Sequence, residues 1–148
     1  MTVLTGPEER FQEFLSTFQA EDGEHKYRKR LGQLSSIGQR HIVVDFEDLM
    51  AYDSELAKLL IDKPDDYLSY VERSSWAQLK IEDPALAELV KRIKVRFRRL
   101  PDRYSLRRLG AEHLGKMLLV DGIIVRATPV KPMITRAAFQ CRKCNSIT

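Results

Sequence analysis

Apolar positions in the first ninety residues recur at helical spacing, and beyond them the pattern changes to alternation. Phe11, Phe14, Leu15 and Phe18 fall on one face of a helix. Thr5-Gly6-Pro7-Glu8 ahead of them has the spacing of a capping box, in which hydroxyl and carboxylate satisfy exposed backbone N–H groups. After the polar stretch AEDGEHK, Tyr27, Leu31 and Leu34 mark a second helix over 27–35, with Gly38 as its stop. The β-branched run HIVVDF predicts a short strand. Asp45 and Asp53 stand where N-caps belong, so helices are expected over 46–52 and 54–62. Pro64 suits the first turn of a longer helix through Lys80, with Leu68, Val71, Trp76 and Leu79 turned inward. Trp76 is expected as core rather than as a ligand-stacking ring. Asp83-Pro84 opens one more short helix, ALAELVKR.

From Ile93 the segment IKVRFRRL alternates Ile93, Val95 and Phe97 with Lys94, Arg96 and Arg98, the signature of a strand with one buried and one basic face. Arg96 and Arg98 have two readings at this point: solvated basic strand residues, or ion pairs to the acidic half of the chain. A helical turn is expected in SLRRLGAEHLG, then a long strand in MLLVDGIIVRA bent at Gly122, a turn at Thr128–Pro132, and a returning strand in MITRAAFQC. Such a series matches the opening of a small closed barrel, with an OB-fold as the leading candidate. The fold class read from the pattern is α+β. It comprises an acidic helical subdomain over 1–91 and the first part of a basic OB-fold over 92–140, which leads into the C-x-x-C segment 141–148.

Charge separates the two halves. Residues 1–90 hold 10 Lys and Arg against 18 Asp and Glu, whereas residues 91–148 hold 15 against 3. An excess of that size in a short segment is expected to attract a polyanion, while the acidic half is expected to repel one. No run approaches the roughly 18 apolar residues of a membrane span, and the acidic start MTVLTGPEERF lacks the basic-then-apolar order of a secretory signal, so a soluble, intracellular protein is expected.

Candidate chemistry is sparse. Gly110 to Lys116 satisfies G-x-x-x-x-G-K, but Met117 follows where a phosphate loop needs Ser or Thr to reach Mg²⁺, and the strand-loop-helix order is inverted. His25, His41 and His113 are scattered, and no nucleophile-base pair can be argued from spacing, so no catalytic residue is expected in this chain. Cys141 and Cys144 are the only two cysteines, in the C-x-x-C spacing that points two thiolates at one metal ion. Three readings stand: half of a four-cysteine zinc site, a redox pair, or two incidental thiols.

Residues 117–144 resemble a segment of the minichromosome maintenance (MCM) replicative helicases, in which V-x-G-I-[VI]-x-R-x-[ST]-x-V-[KR]-P precedes an aromatic residue and a C-x-x-C. The elements stand here at Val120, Gly122 to Ile124, Arg126, Thr128, Val130 to Pro132, Phe139 and Cys141/Cys144. Upstream, VDFEDLMAYDSELAKLLIDKPDDYL resembles the peripheral helical subdomain of archaeal members. The resemblance implies the N-terminal DNA-binding and ring-assembly part of an ATP-dependent DNA helicase, with 141–148 as the start of a zinc-binding subdomain in which zinc is bound once a second cysteine pair joins Cys141 and Cys144. It implies ATP and Mg²⁺ only for the full-length family, whose AAA+ motor is expected to lie outside these residues. By the same match, Arg126 and Lys131 are expected as phosphate contacts, with Arg136 and Lys116 beside them. The implied partners are DNA, further copies of the chain in a ring, and replication factors, with no membrane. The implied location is the nucleoid-associated cytoplasm for an archaeal protein and the nucleus for a eukaryotic one. Two other functions fit the residues: a free-standing single-stranded nucleic-acid binder, and an interaction module whose helices dock replication factors.

Overall fold

The computed structural model describes residues 6–148. Helix α1 runs Pro7–Thr17, with Gly6 at its N-cap position and Pro7 in the first turn, where the missing N–H has no helical partner to lose. The expected Thr5 cap lies outside the described residues. Helices α2, Lys26–Gly32, and α3, Leu34–Ile37, follow, and Gly38 closes α3 in the left-handed conformation at φ 71°. Then come strand β1, His41–Asp45, and four helices: α4 over Phe46–Tyr52, α5 over Ser54–Asp62, α6 over Pro64–Glu82 and α7 over Pro84–Val90. Strand β2, Lys94–Arg98, returns to lie parallel to β1.

The predicted apolar faces form the core. Phe11, Phe14, Leu15, Tyr27, Leu31, Val71 and Leu79 are buried with Ile42, Val44, Phe46, Leu49, Leu56 and Leu60, while Leu68 and Trp76 pack at its margin. Burying each such side chain contributes about 1.5–3 kcal/mol, which outweighs the weak intrinsic stability of helices as short as α2, α4 and α7. Helix α6 is the central post. Its Ser74 is small enough for α1 to come close, and the Ser74 hydroxyl donates to the Glu8 carbonyl at 2.7 Å, tying the two helices together.

Caps set the joints between helices. The Asp53 carboxylate accepts from the Leu56 N–H at 3.1 Å, and Asp83 does the same for Leu86 at 3.1 Å, so α5 and α7 begin as expected. Asp45 differs. It occupies the N-cap position of α4 but makes no side-chain cap, because cations crowd its carboxylate and outcompete a neutral amide donor.

The basic half departs further from the pattern. A second parallel pair joins β3, Arg103–Ser105, to β4, Leu119–Asp121, and two 3₁₀ turns, Leu106–Arg108 and Ala111–His113, lie between them where the helical segment was expected. The long strand expected in MLLVDGIIVRA is thus reduced to three residues, and the returning strand MITRAAFQC is absent: residues 122–139 form no strand. Ile123, Ile124, Val125, Val130, Met133 and Ile134 are exposed instead. An alternating pattern decides which face of a strand is to be buried, but a strand persists only beside a neighbour that takes up its backbone N–H and C=O groups. Gly122 marks a break rather than a bend inside a strand: a Cβ there would come within 2.9 Å of the Leu106 side chain.

Candidate nucleic-acid interface

The register of β1 against β2 sorts the basic residues. It sets Asp45 opposite Arg98 and Val43 opposite Arg96. Asp45 is only 1% exposed and binds three cations: Arg98 through a short hydrogen bond, Lys26 at 2.7 Å and Arg30 at 3.3 Å. Burial by itself would push the Asp45 carboxyl up, but hydrogen bonds from Arg98 and Lys26, with the charges of Lys26 and Arg30, hold it well below the usual carboxylate range. Lys26 also reaches Asp48 at 2.5 Å, and the Tyr27 hydroxyl donates to the same Asp48 oxygen at 2.6 Å while accepting from the Asp45 N–H at 3.1 Å. The Tyr27 phenol is raised well above its ordinary value, first by burial and then by its bond to Asp48, so it stays protonated as a donor.

Further cations are held in the same way. Arg92 and Lys94 grip Glu72 at 3.1 and 3.0 Å, Arg99 meets Glu47 at 2.8 Å, and Arg103 meets Asp121 at 3.0 Å. Of the two open readings for the strand arginines, the ion pair holds for Arg98, whereas Arg96 has no carboxylate within 4.0 Å among the described residues. Six of the fifteen cations after residue 90 therefore neutralise acids: Arg92, Lys94, Arg98, Arg99, Arg103 and Lys116. The remaining nine have no such partner among the described residues, and all but Lys91 and Arg96 follow residue 105. A charge count along the sequence cannot separate these two groups, since pairing depends on which acids the fold brings across.

Arg126, Lys131 and Arg136 all fall in the free group. They are exposed on the extended stretch 122–139, where no carboxylate approaches them among the described residues. Lys116 stands apart. It lines a cavity of about 250 Å³ between the end of α5 and the 3₁₀ turns, 3.8 Å from Asp62, and the next residue donates its N–H to the Ile61 carbonyl at 2.9 Å. The stretch Gly110–Lys116 is folded into tight turns, with the Gly110 N–H donating to His113 Nδ1 at 3.0 Å, and strand β4 follows it. A phosphate loop needs the strand first and the helix after. Arg107 and Arg108, exposed on the first 3₁₀ turn, join the free cations without having been singled out; their adjacency in the sequence was the available signal.

Cys141 and Cys144 sit on a small hairpin at 139–148. Phe139 and Thr148 exchange both backbone hydrogen bonds at 2.9 Å, the Cys141 N–H donates to Ser146 O at 2.9 Å, and Asn145 adopts φ 56° at the turn. Both thiols are exposed. The Ser146 hydroxyl 3.1 Å from Cys144 Sγ, then the Ser146 backbone N–H and the Cys141 thiol, draw the Cys144 thiol down to about 7. The hairpin thus presents two thiols side by side, one readily deprotonated. Tetrahedral zinc needs four donors, and among the described residues no third His, Cys, Asp or Glu joins these two. The residues present supply half of a donor set.

Comparison with known proteins places this arrangement. Residues 8–99 match the family model of the MCM N-terminal domain, and residues 105–148 match that of the MCM OB domain. The chain is 28% identical over 130 residues to the minichromosome maintenance protein MCM of Saccharolobus solfataricus, covering 88% of this chain and 19% of that protein. It is 28% identical over 138 residues to DNA replication licensing factor mcm2 of Xenopus tropicalis, covering 93% and 16%, and 31% identical over 136 residues to DNA replication licensing factor Mcm6 of Drosophila melanogaster, covering 92% and 16%. The chain spans about a fifth or less of the length of these curated relatives. The first match takes in strand β2 together with the helices, the second starts at the end of β3, and the chain belongs to the MCM family, of which it carries the N-terminal domain and OB-domain sequence.

Proposed function

We propose that this chain forms the DNA-binding and ring-assembly part of an ATP-dependent replicative helicase and acts in association with DNA. The observation that carries the reading is the division of the cations. Arg92, Lys94, Arg98 and Arg99 fasten β2 and its flanking residues to the acidic bundle, whereas Arg126, Lys131 and Arg136 keep their full charge for an outside polyanion. Contact is with the phosphate backbone: arginine and lysine neutralise phosphates and release counterions, which gives affinity without sequence preference. Lys116, paired with Asp62, contributes less than the other three. The bundle is scaffolding, since its acids repel the same strand. Cys141 and Cys144 contribute two thiolates to a zinc site that a further pair of donors completes, and that site braces the OB segment against its neighbours in a ring.

The test is the salt dependence of single-stranded DNA affinity. Three side chains each neutralising one phosphate give a slope of log K against log salt of about −2, or roughly a 20-fold loss between 50 and 200 mM. Replacing Arg126, Lys131 and Arg136 together by Gln should flatten the slope by about 2. Affinity indifferent to salt, or a slope untouched by the triple substitution, would contradict the proposal.

A further inference from the structure

A cavity with a basic rim lies against α6. Ser69, Glu72, Arg73 and Trp76 line a single stripe of α6 at i, i+3, i+4 and i+7, and across from them stands the turn Lys91–Arg92 that leads from α7 into β2. The open cavity between measures about 490 Å³. Its floor is pinned: Trp76 Nε1 donates to the Ala87 carbonyl at 3.1 Å, which fixes the plane of the ring, and Lys80 Nζ lies 4.1 Å from the ring centroid. The acids at this place are already engaged. Glu72 is taken by Arg92 and Lys94, and Glu8 by Arg73 at 2.7 Å, whereas Lys80 and Lys91 have no carboxylate within 4.0 Å among the described residues. Cations therefore outnumber acids around an immobilised aromatic ring, on a subdomain whose overall charge is negative.

We propose that this cavity docks a short acidic peptide segment of another protein, with one aromatic or large apolar side chain seated against Trp76 and flanking carboxylates at Arg73, Lys91 and Arg92. A rigid aromatic floor with arginines beside it is the composition that concentrates binding energy at protein interfaces. Charge complementarity selects the partner: a short acidic segment meets only the local cations, whereas a nucleic acid extends its phosphates over the surrounding acids and is repelled. The site shares no residue with the cations proposed for DNA, so its failure and theirs are separable.

Trp76 is the only tryptophan, so its emission reports on the cavity directly. The full chain is titrated with a synthetic peptide of about ten residues, rich in Asp and Glu around a single Phe. The expected result is a saturable change in Trp76 emission, weakened roughly tenfold or more by combining Arg73→Gln with Lys91→Gly and unaltered by Arg126→Gln. Lys91→Gly removes the charge at a residue with φ 52°, a conformation glycine adopts freely, so the fold is retained. No emission change at roughly millimolar peptide would overturn the proposal. So would equal binding by the Arg73→Gln/Lys91→Gly variant, or equal binding of a peptide whose Phe is replaced by Ala. Displacement of the peptide by oligothymidylate, with the same emission change, would assign the cavity to nucleic acid instead.

Discussion

Replacing Asp45 by Asn tests whether the carboxylate that joins the bundle to β2 is a structural charge. The amide keeps the shape and removes the charge that Lys26, Arg30 and Arg98 share. Removing one partner of a fully buried ion pair costs about 3–5 kcal/mol. The cations here are less isolated than that: their side chains are 24%, 28% and 51% exposed, Lys26 keeps Asp48, and Arg30 keeps its bond to the Val43 carbonyl at 2.7 Å. The expected loss is accordingly about 2–3 kcal/mol, or roughly 5–10 °C in melting temperature for a domain of this size. Urea unfolding followed by circular dichroism measures it. The pH dependence supplies a second check. The folded carboxyl titrates below its unfolded value, so its stabilisation is complete above about pH 4 and drains away as the pH falls further. The gap between the native chain and Asp45→Asn should therefore be wide near neutral pH and close progressively below about pH 4. A variant within about 0.5 kcal/mol of the native chain at neutral pH, or a gap equally wide at pH 6 and pH 2, would refute the reasoning.

Tyr27→Phe leaves the buried Asp45 N–H without its acceptor and Asp48 with Lys26 as its remaining donor, and should cost about 1–3 kcal/mol by the same unfolding assay while leaving the proposed DNA affinity unchanged. Cobalt(II) titration examines the thiol pair: the chain alone should take up less than one ion per molecule, at a ratio of about one ion per two chains where two hairpins share it, and Cys144→Ser should abolish the thiolate charge-transfer band. One tightly held ion per monomeric chain would show that the donor set is complete without a second pair.

Much of the helical half was legible because its determinants are local. Phe11, Phe14 and Leu15 announce α1 by spacing, Asp53 and Asp83 announce α5 and α7 by capping chemistry, and Gly38 marks a stop by its freedom at positive φ. The C-x-x-C could be picked out from the same string by its spacing, whereas Arg126, Lys131 and Arg136 were singled out only by the resemblance to the MCM segment. Asp45 shows the limit of such reading. Its position promised a helix cap, yet residues from α2 and β2, as far as 53 positions away in the chain, claim its carboxylate. The strands expected in MLLVDGIIVRA and MITRAAFQC failed for a related reason: alternation names the buried face, but the neighbour that would bury it is not encoded in the strand itself.

The sequence by itself determined the acidic-helical and basic halves, the family they belong to, and the presence of the late cations and of the C-x-x-C pair. Only the tertiary structure decided which of the fifteen late cations are consumed by Asp45, Glu47, Asp62, Glu72 and Asp121 and which remain free, and that Trp76 floors a cavity with a basic rim. The physical reason is range. Helix spacing and capping act over a few residues, whereas a salt bridge depends on a separation of a few ångströms that only the packed chain brings about.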